Sequence, residues 1–255
     1  MIVGIDHIAF SVSDIEEALP LVASWGYRSV FVEKGVLNHV AKTPFLRKRE
    51  EKHNIAYCES LRGGVAIELT VHGDVRVAPV GRSRRPHVRR TAEGNLPATG
   101  PAPLIKVSPY QVYFSQTFPR VIDVVSLETS DVERSAGFWS KLGFKEKSPA
   151  GARTLRRQGA GMTSELSFTT PLASQKLTLR LIHSPKKSKR LYYIDDRGFP
   201  CIAFLTTHIE RDRLLLGDTA SDIFSMTIHQ QLLDICLGRG PDGECVELIA
   251  IRKRL

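Results

Sequence analysis

The apolar residues of this chain come in short runs that end at helix-start signals, and the pattern returns three times. Residues 4–16, 121–133 and 198–210 each read as an apolar stretch, then a hydroxyl residue, then a glutamate three positions on. The pairs Ser13/Glu16, Ser130/Glu133 and Thr207/Glu210 fit a capping box. In that motif the hydroxyl accepts from a first-turn amide and the carboxylate reaches back to the cap amide. One such match arises easily by chance. Three at the same place mark a repeated structural unit.

Behind the second signal, Val132, Ala136, Trp139 and Leu142 approximate helical spacing before Gly143. Ile15, Ala18, Leu19 and Val22 do the same before Trp25-Gly26, with Pro20 expected to kink that helix. Strands are predicted to follow at residues 27–32 and 144–147. A hairpin is predicted from residues 54–59 and 65–71 around Arg62-Gly63-Gly64, and its second counterpart from residues 164–169 and 176–183. The third copy ends in residues 233–238, a turn at Gly240-Pro241-Asp242-Gly243, and residues 245–251. The expected class is α+β, with repeated βαβββ units forming cupped mixed or antiparallel sheets. Residues 1–73 read as an N-terminal βαβββ unit and residues 121–255 as a two-unit domain. Residues 74–120, rich in Arg, Pro and Gly with one strand-like piece at 111–115, read as an irregular excursion or linker, with a degenerate fourth unit as the alternative.

Composition narrows the class without naming a function. Of 255 residues, 42% are hydrophobic and 25% charged, which is a folded composition and not a disordered one. No apolar run reaches the ~18 residues of a membrane span, and the N-terminus has no signal-peptide pattern, so a cytoplasmic protein is expected. The four cysteines form no CxxC pair and read as reduced, buried thiols. The net charge of +9 lies in two runs, residues 82–90 with five Arg and residues 186–190 with four basic groups. Neither run is interleaved with aromatics, so nucleic acid is not the expected partner.

No GxSxG, Walker loop, GxGxxG before a helix, or HExxH occurs. His208 and His229 lack a triad partner, and His229 is expected on a strand or its edge. Tyr192-Tyr193 reads as a surface turn, with the mouth of an anion site as the alternative.

Several strings together resemble the vicinal oxygen chelate superfamily of glyoxalases, bleomycin-resistance proteins and extradiol dioxygenases. They are Asp6-His7-Ile8-Ala9-Phe10, Phe138-Trp139-Ser140-Lys141-Leu142-Gly143-Phe144 and Gly240-Pro241-Asp242-Gly243-Glu244-Cys245-Val246-Glu247-Leu248. The resemblance implies sheets curled into a cup, with metal ligands from the first and last strands of paired units. The pleat supports this placement: His7, Ala9 and Ser11 share one strand face, and Glu68 and Glu247 each alternate with apolar neighbours. His7, Glu68 and Glu247 are therefore the candidate ligands of a divalent metal (Mn, Fe, Ni, Co or Zn). The second copy departs, with Val124 in place of His7 and Arg180 near the place of Glu68; the third has Cys201 in place of His7. Pairing of the second and third units gives a cup with Val124, Cys201 and Glu247, too poor for a metal. Pairing of the first and third gives His7, Glu68, Cys201 and Glu247, and a dimer is a further way to complete the set. The resemblance implies a cup for a small organic molecule, anionic ligands included, with metal-assisted lyase or dioxygenase chemistry. A metal-free sequestering or sensor protein is the alternative, and a homodimer is expected in either case.

Overall fold

The structure is a computed structural model that describes residues 1–73, 103–107, 110–115, 120–146, 163–169, 176–185 and 191–254. The basic runs at 82–90 and 186–190 lie outside the described residues, as does much of the stretch 74–120. The chain opens with β1 (Ile2–Ser11), α1 (Ile15–Ser24), β2 (Tyr27–Leu37), β3 (Lys52–Ser60) and β4 (Ala66–His72). A short hairpin follows, β5 (Pro103–Val107) and β6 (Tyr110–Phe114). Next come β7 (Ile122–Thr129), α2 (Val132–Lys141), β8 (Lys145–Glu146), β9 (Thr163–Thr169) and β10 (Lys176–His183). The last unit is β11 (Gly198–Thr206), α3 (Ile209–Asp212), β12 (Phe224–Ile228), β13 (Gln231–Arg239) and β14 (Cys245–Arg254). The class is α+β with curled sheets, as the repeat predicts.

Two features of the local reading change. The helix caps sit one residue later than the capping boxes place them. Asp14 accepts from the amides of Glu16 and Glu17, and Asp131 accepts from Arg134 N. An aspartate caps as well as a serine and adds a negative charge at the positive end of the helix. The third copy keeps only a four-residue helix, and its cap residue His208 makes no side-chain cap bond. There Thr206 Oγ1 accepts from His208 N instead. Pro20 is accommodated inside α1.

The strands form two sheets. The larger runs β12-β13-β14-β11-β1-β4-β3-β2 and the smaller β5-β6-β7-β10-β9-β8. The first unit is thus hydrogen-bonded to the third, through antiparallel pairing of β1 with β11. The second unit forms its own sheet, and β6 pairs antiparallel with β7 on the side opposite β10. On β7, β6 holds the place that β11 holds on β1.

The outer faces of both sheets share one core. Phe204 on β11 is fully buried against the rings of Trp139, Phe144 and Phe168 from the second unit. Trp25, at the end of α1, packs 4.7 Å from Phe114 on β6. The stripes read from sequence supply this contact, since Ile15, Val22, Val132 and Trp139 are all buried. The four cysteines are free and buried. No helix among the described residues is long and apolar enough to cross a membrane.

Candidate functional site

The inner face of the larger sheet encloses a cavity of about 320 Å³. Strand alternation decides what lines it. On β4 the residues Glu68, Thr70 and His72 face inward while Ile67 and Leu69 fill the outer core. On β3 the inward set is His53, Ile55 and Tyr57, and on β1 it includes His7 and Ala9. The opposite wall is aliphatic, with Leu233, Ile235, Leu237 and Ile249 from β13 and β14. The cup therefore has one polar wall and one apolar wall.

The three predicted ligand residues meet in this cavity. His7 Nε2 lies 3.6 Å from Glu68 Oε1 and 3.8 Å from Glu247 Oε2. Its Nδ1 is 2.8 Å from Asp6 Oδ2. The Tyr57 hydroxyl in turn bonds to Asp6, so the carboxylate that orients the imidazole is itself held. The ring is 2% exposed and Nε2 has no hydrogen-bond partner.

The register identifies the remaining positions. Glu68 stands beside Ala9, Glu247 beside Ala203, and Arg180 beside Ser126. His7, Cys201 and Val124 each precede those central-strand residues by two, so they are equivalents in the three units. Cys201 accordingly lines the cavity, whereas Val124 belongs to the other sheet. The smaller sheet has a cation where the larger has Glu68. Its Arg180 donates from Nε to Glu165 Oε1 at 2.8 Å.

Electrostatics follow from these positions. Burial alone would lower the pKa of His7, but the carboxylates of Glu68, Asp6 and Glu247 outweigh it and raise the pKa to about 9. Burial pushes the Glu247 carboxyl up, opposed by His7 and Lys42. Burial, with the charge of Glu247, pushes the Cys201 thiol well above its ordinary value.

Sequence reasoning missed a second polar group in the cup, Lys42, His53, Thr70 and His72, each buried. Alternation around Glu68 signals Thr70 and His72; nothing local signals Lys42. His229 also departs from expectation. It sits in the turn between β12 and β13 at φ 45°, and its ring stacks 4.4 Å from Phe31. Its amide donates to Glu33 Oε2, so this turn meets β2 and curls the ends of the sheet together. Of the Tyr192-Tyr193 pair, Tyr192 is buried and Tyr193 lies under the guanidinium of Arg47 at 4.7 Å. Neither lines the cavity.

The donor set can be tested against a metal on the geometry itself. A tetrahedral ion with ligands at about 2.1 Å keeps its donors about 3.4 Å apart. The two His7–carboxylate separations of 3.6 and 3.8 Å are close to that value. Among the described residues, no three His, Cys, Asp or Glu side chains enclose an ion as they stand. A small approach of the two flexible glutamates toward Nε2 is what binding requires. One chain supplies all three donors.

No family model matches the chain, and no curated protein matches it. Solved structures do. A glyoxalase I mutant from Zea mays aligns over 96% of this chain and 93% of its own, with a TM-score of 0.51 and 16% identity. A glyoxylase/bleomycin resistance protein/dioxygenase domain from Frankia sp. EAN1pec aligns over 51% of this chain and 90% of its own, with a TM-score of 0.36 and 15% identity. A glyoxalase family protein from Bacillus cereus aligns over 52% of this chain and 94% of its own, with a TM-score of 0.38 and 15% identity. The maize likeness extends over nearly the whole of both chains, so this chain shares the fold of that glyoxalase I.

Proposed function

We propose that the cup binds a small organic molecule beside a divalent metal held by His7, Glu68 and Glu247. The observation that carries this reading is the buried Nε2 of His7, without a hydrogen-bond partner and flanked by two carboxylates. A buried polar nitrogen left unpaired is costly, and a metal bond removes the cost. Asp6 holds Nδ1 so that Nε2 points inward, and its lone pair becomes free for a metal once the proton leaves. The metal would supply Lewis-acid polarisation of ligand oxygens. One imidazole and two carboxylates form a hard donor set, unlike the two-histidine, one-carboxylate triad of iron oxygenases. Glu247, whose carboxyl is pushed up, is placed to take and return a proton. That combination favours lyase chemistry over dioxygenase chemistry. The test is metal analysis after incubation with Mn, Fe, Ni, Co and Zn. About one equivalent in the wild type and none in His7→Ala is expected. Absence of metal from the wild type sinks the reading.

A metal-free binding protein is the second reading. It has its own support in His7, whose raised pKa keeps a proton that offsets the nearby carboxylates. The same metal measurement separates the two.

A further inference from the structure

The end of the cup beyond Glu68 is built differently from the His7 end. A six-residue 3-10 segment, Val40–Phe45, plugs it. Phe45 and Leu46 are buried there with Ile194 and Ile55. The plug is tied down at several points. Arg239 Nη2 donates to Pro44 O at 2.8 Å, and Arg47 N donates to Asp195 Oδ1 at 2.8 Å. The ring of His39 stacks 4.8 Å from Phe224.

This anchored plug carries Lys42 into the cavity. The lysine is 7% exposed and lines the cup, and its charge acts on His53, His72, Glu247 and Cys201. Among the described residues it makes no ion pair. Around it, His53 Nδ1, Thr70 Oγ1 and His72 Nδ1 are buried with no hydrogen-bond partner. His53 and His72 face each other across the β3–β4 ladder and stack at 5.0 Å. Burial, with the charge of Lys42, lowers the His53 pKa to about 2 and the His72 pKa to about 3, so both rings are neutral. Lys42 therefore has beside it, on β3 and β4, neutral side chains that can donate hydrogen bonds, and shares the cup with the Glu247 carboxyl on which its charge also acts. Buried polar atoms without bonds are costly, and a cation that faces the same cavity without an ion pair leaves a favourable interaction unmade. An anion satisfies all of them together.

We infer that Lys42, Thr70 and His72, backed by His53, form an anion subsite, and that the ligand of the cup is an organic acid whose carboxylate sits there. Thr70 and His72 lie two and four residues beyond Glu68 on β4, hence about 7 and about 13 Å along the strand. An acid bound at Lys42 has its body along the aliphatic wall of β13 and β14 and its far end at His7. The inference rests on the reading of the cup as a small-molecule site, but it does not need the metal.

The test uses the full chain with carbon-13-labelled histidine, titrated with acetate and, separately, with acetamide, its uncharged counterpart. Acetate is expected to shift the ring signals of His53 and His72, assigned by His53→Asn and His72→Asn, while acetamide leaves them in place. Lys42→Met is expected to weaken acetate about tenfold, the size of one hydrogen-bonded charge contact. Thr70→Val, nearly isosteric, is expected to weaken it several-fold and decides the matter if Lys42→Met does not fold. Equal responses to acetate and acetamide, no response to acetate, a response at His7 alone, or an unchanged acetate affinity in the variants overturns the inference. Repeating the titration with added zinc keeps the two ideas apart. Acetate binding without zinc binding removes the metal and leaves the subsite. Zinc binding without an acetate response does the reverse.

Discussion

The carboxylate of Glu247, on the last strand, lies 3.8 Å from the ring Nε2 of His7, on the first. The two strands are not hydrogen-bonded to each other, since β11 runs between them. Their side chains meet because the sheet curls and both point to its concave face. The candidate site therefore exists only while the first and third units remain paired.

Metal binding is expected to compete with a proton. The pKa of His7 is about 9 in the folded chain, so below that pH a proton must leave Nε2 before a metal enters. Affinity for cobalt is expected to fall about tenfold for each pH unit below 9. Titrations at several pH values check this, and a flat profile would rule out His7 as a ligand.

Cys201 is expected to stay out of the ligand set. Burial and the charge of Glu247 hold its thiol protonated. A cobalt-loaded protein should show no thiolate-to-cobalt absorption, and Cys201→Ser should leave cobalt affinity within a few-fold. A thiolate band that vanishes in Cys201→Ser would show the opposite.

Stability should peak near pH 6.5 as far as three cup histidines decide it. His53 and His72 have depressed folded pKa values, about 2 and about 3, against 6.5 for the unfolded chain. Below pH 6.5 the unfolded chain binds protons that the folded chain refuses, so stability falls with pH, by about 1.4 kcal/mol per unit for each ring. His7 has the opposite sign: its contribution is fully present below pH 6.5 and is lost as pH rises toward 9. Urea midpoints across this range measure both limbs. The double variant His53→Asn, His72→Asn should flatten the acid limb, and an unchanged limb contradicts the assignment.

The helix caps offer a local check. Asp14→Ala removes the acceptor for two first-turn amides and should cost about 1 kcal/mol. Ser13→Ala, at the position the capping box selects, should cost less than about 0.5 kcal/mol. Denaturant melts of the two variants compare the positions directly.

Phe204 joins the two sheets, fully buried among Trp139, Phe144 and Phe168. Phe204→Ala should cost about 3–5 kcal/mol. Because one core spans both sheets, tryptophan fluorescence and far-ultraviolet dichroism should still report a single transition. Two separate transitions in the wild type would show that the sheets unfold independently.

Much of this protein follows from local patterns. The repeat gave the βαβββ unit, because alternation and helical spacing are short-range signals that survive without the rest of the chain. His7, Glu68 and Glu247 could be picked as inward-facing for the same reason: a strand residue between two core residues must point the other way. The register could even be anticipated, since Arg180 stands opposite Ser126 as Glu68 stands opposite Ala9. What the sequence left open was which units share a sheet. That choice rests on edge pairing between β1 and β11, strands far apart in the chain, and on core contacts such as Phe204 against Trp139. It decides whether Glu247 faces His7 or Val124, and so whether a ligand set exists. Lys42 belongs to the same class of fact. Its place in the cup is fixed by Arg239 and Asp195 holding the plug from distant segments, and no periodicity along the chain carries that information.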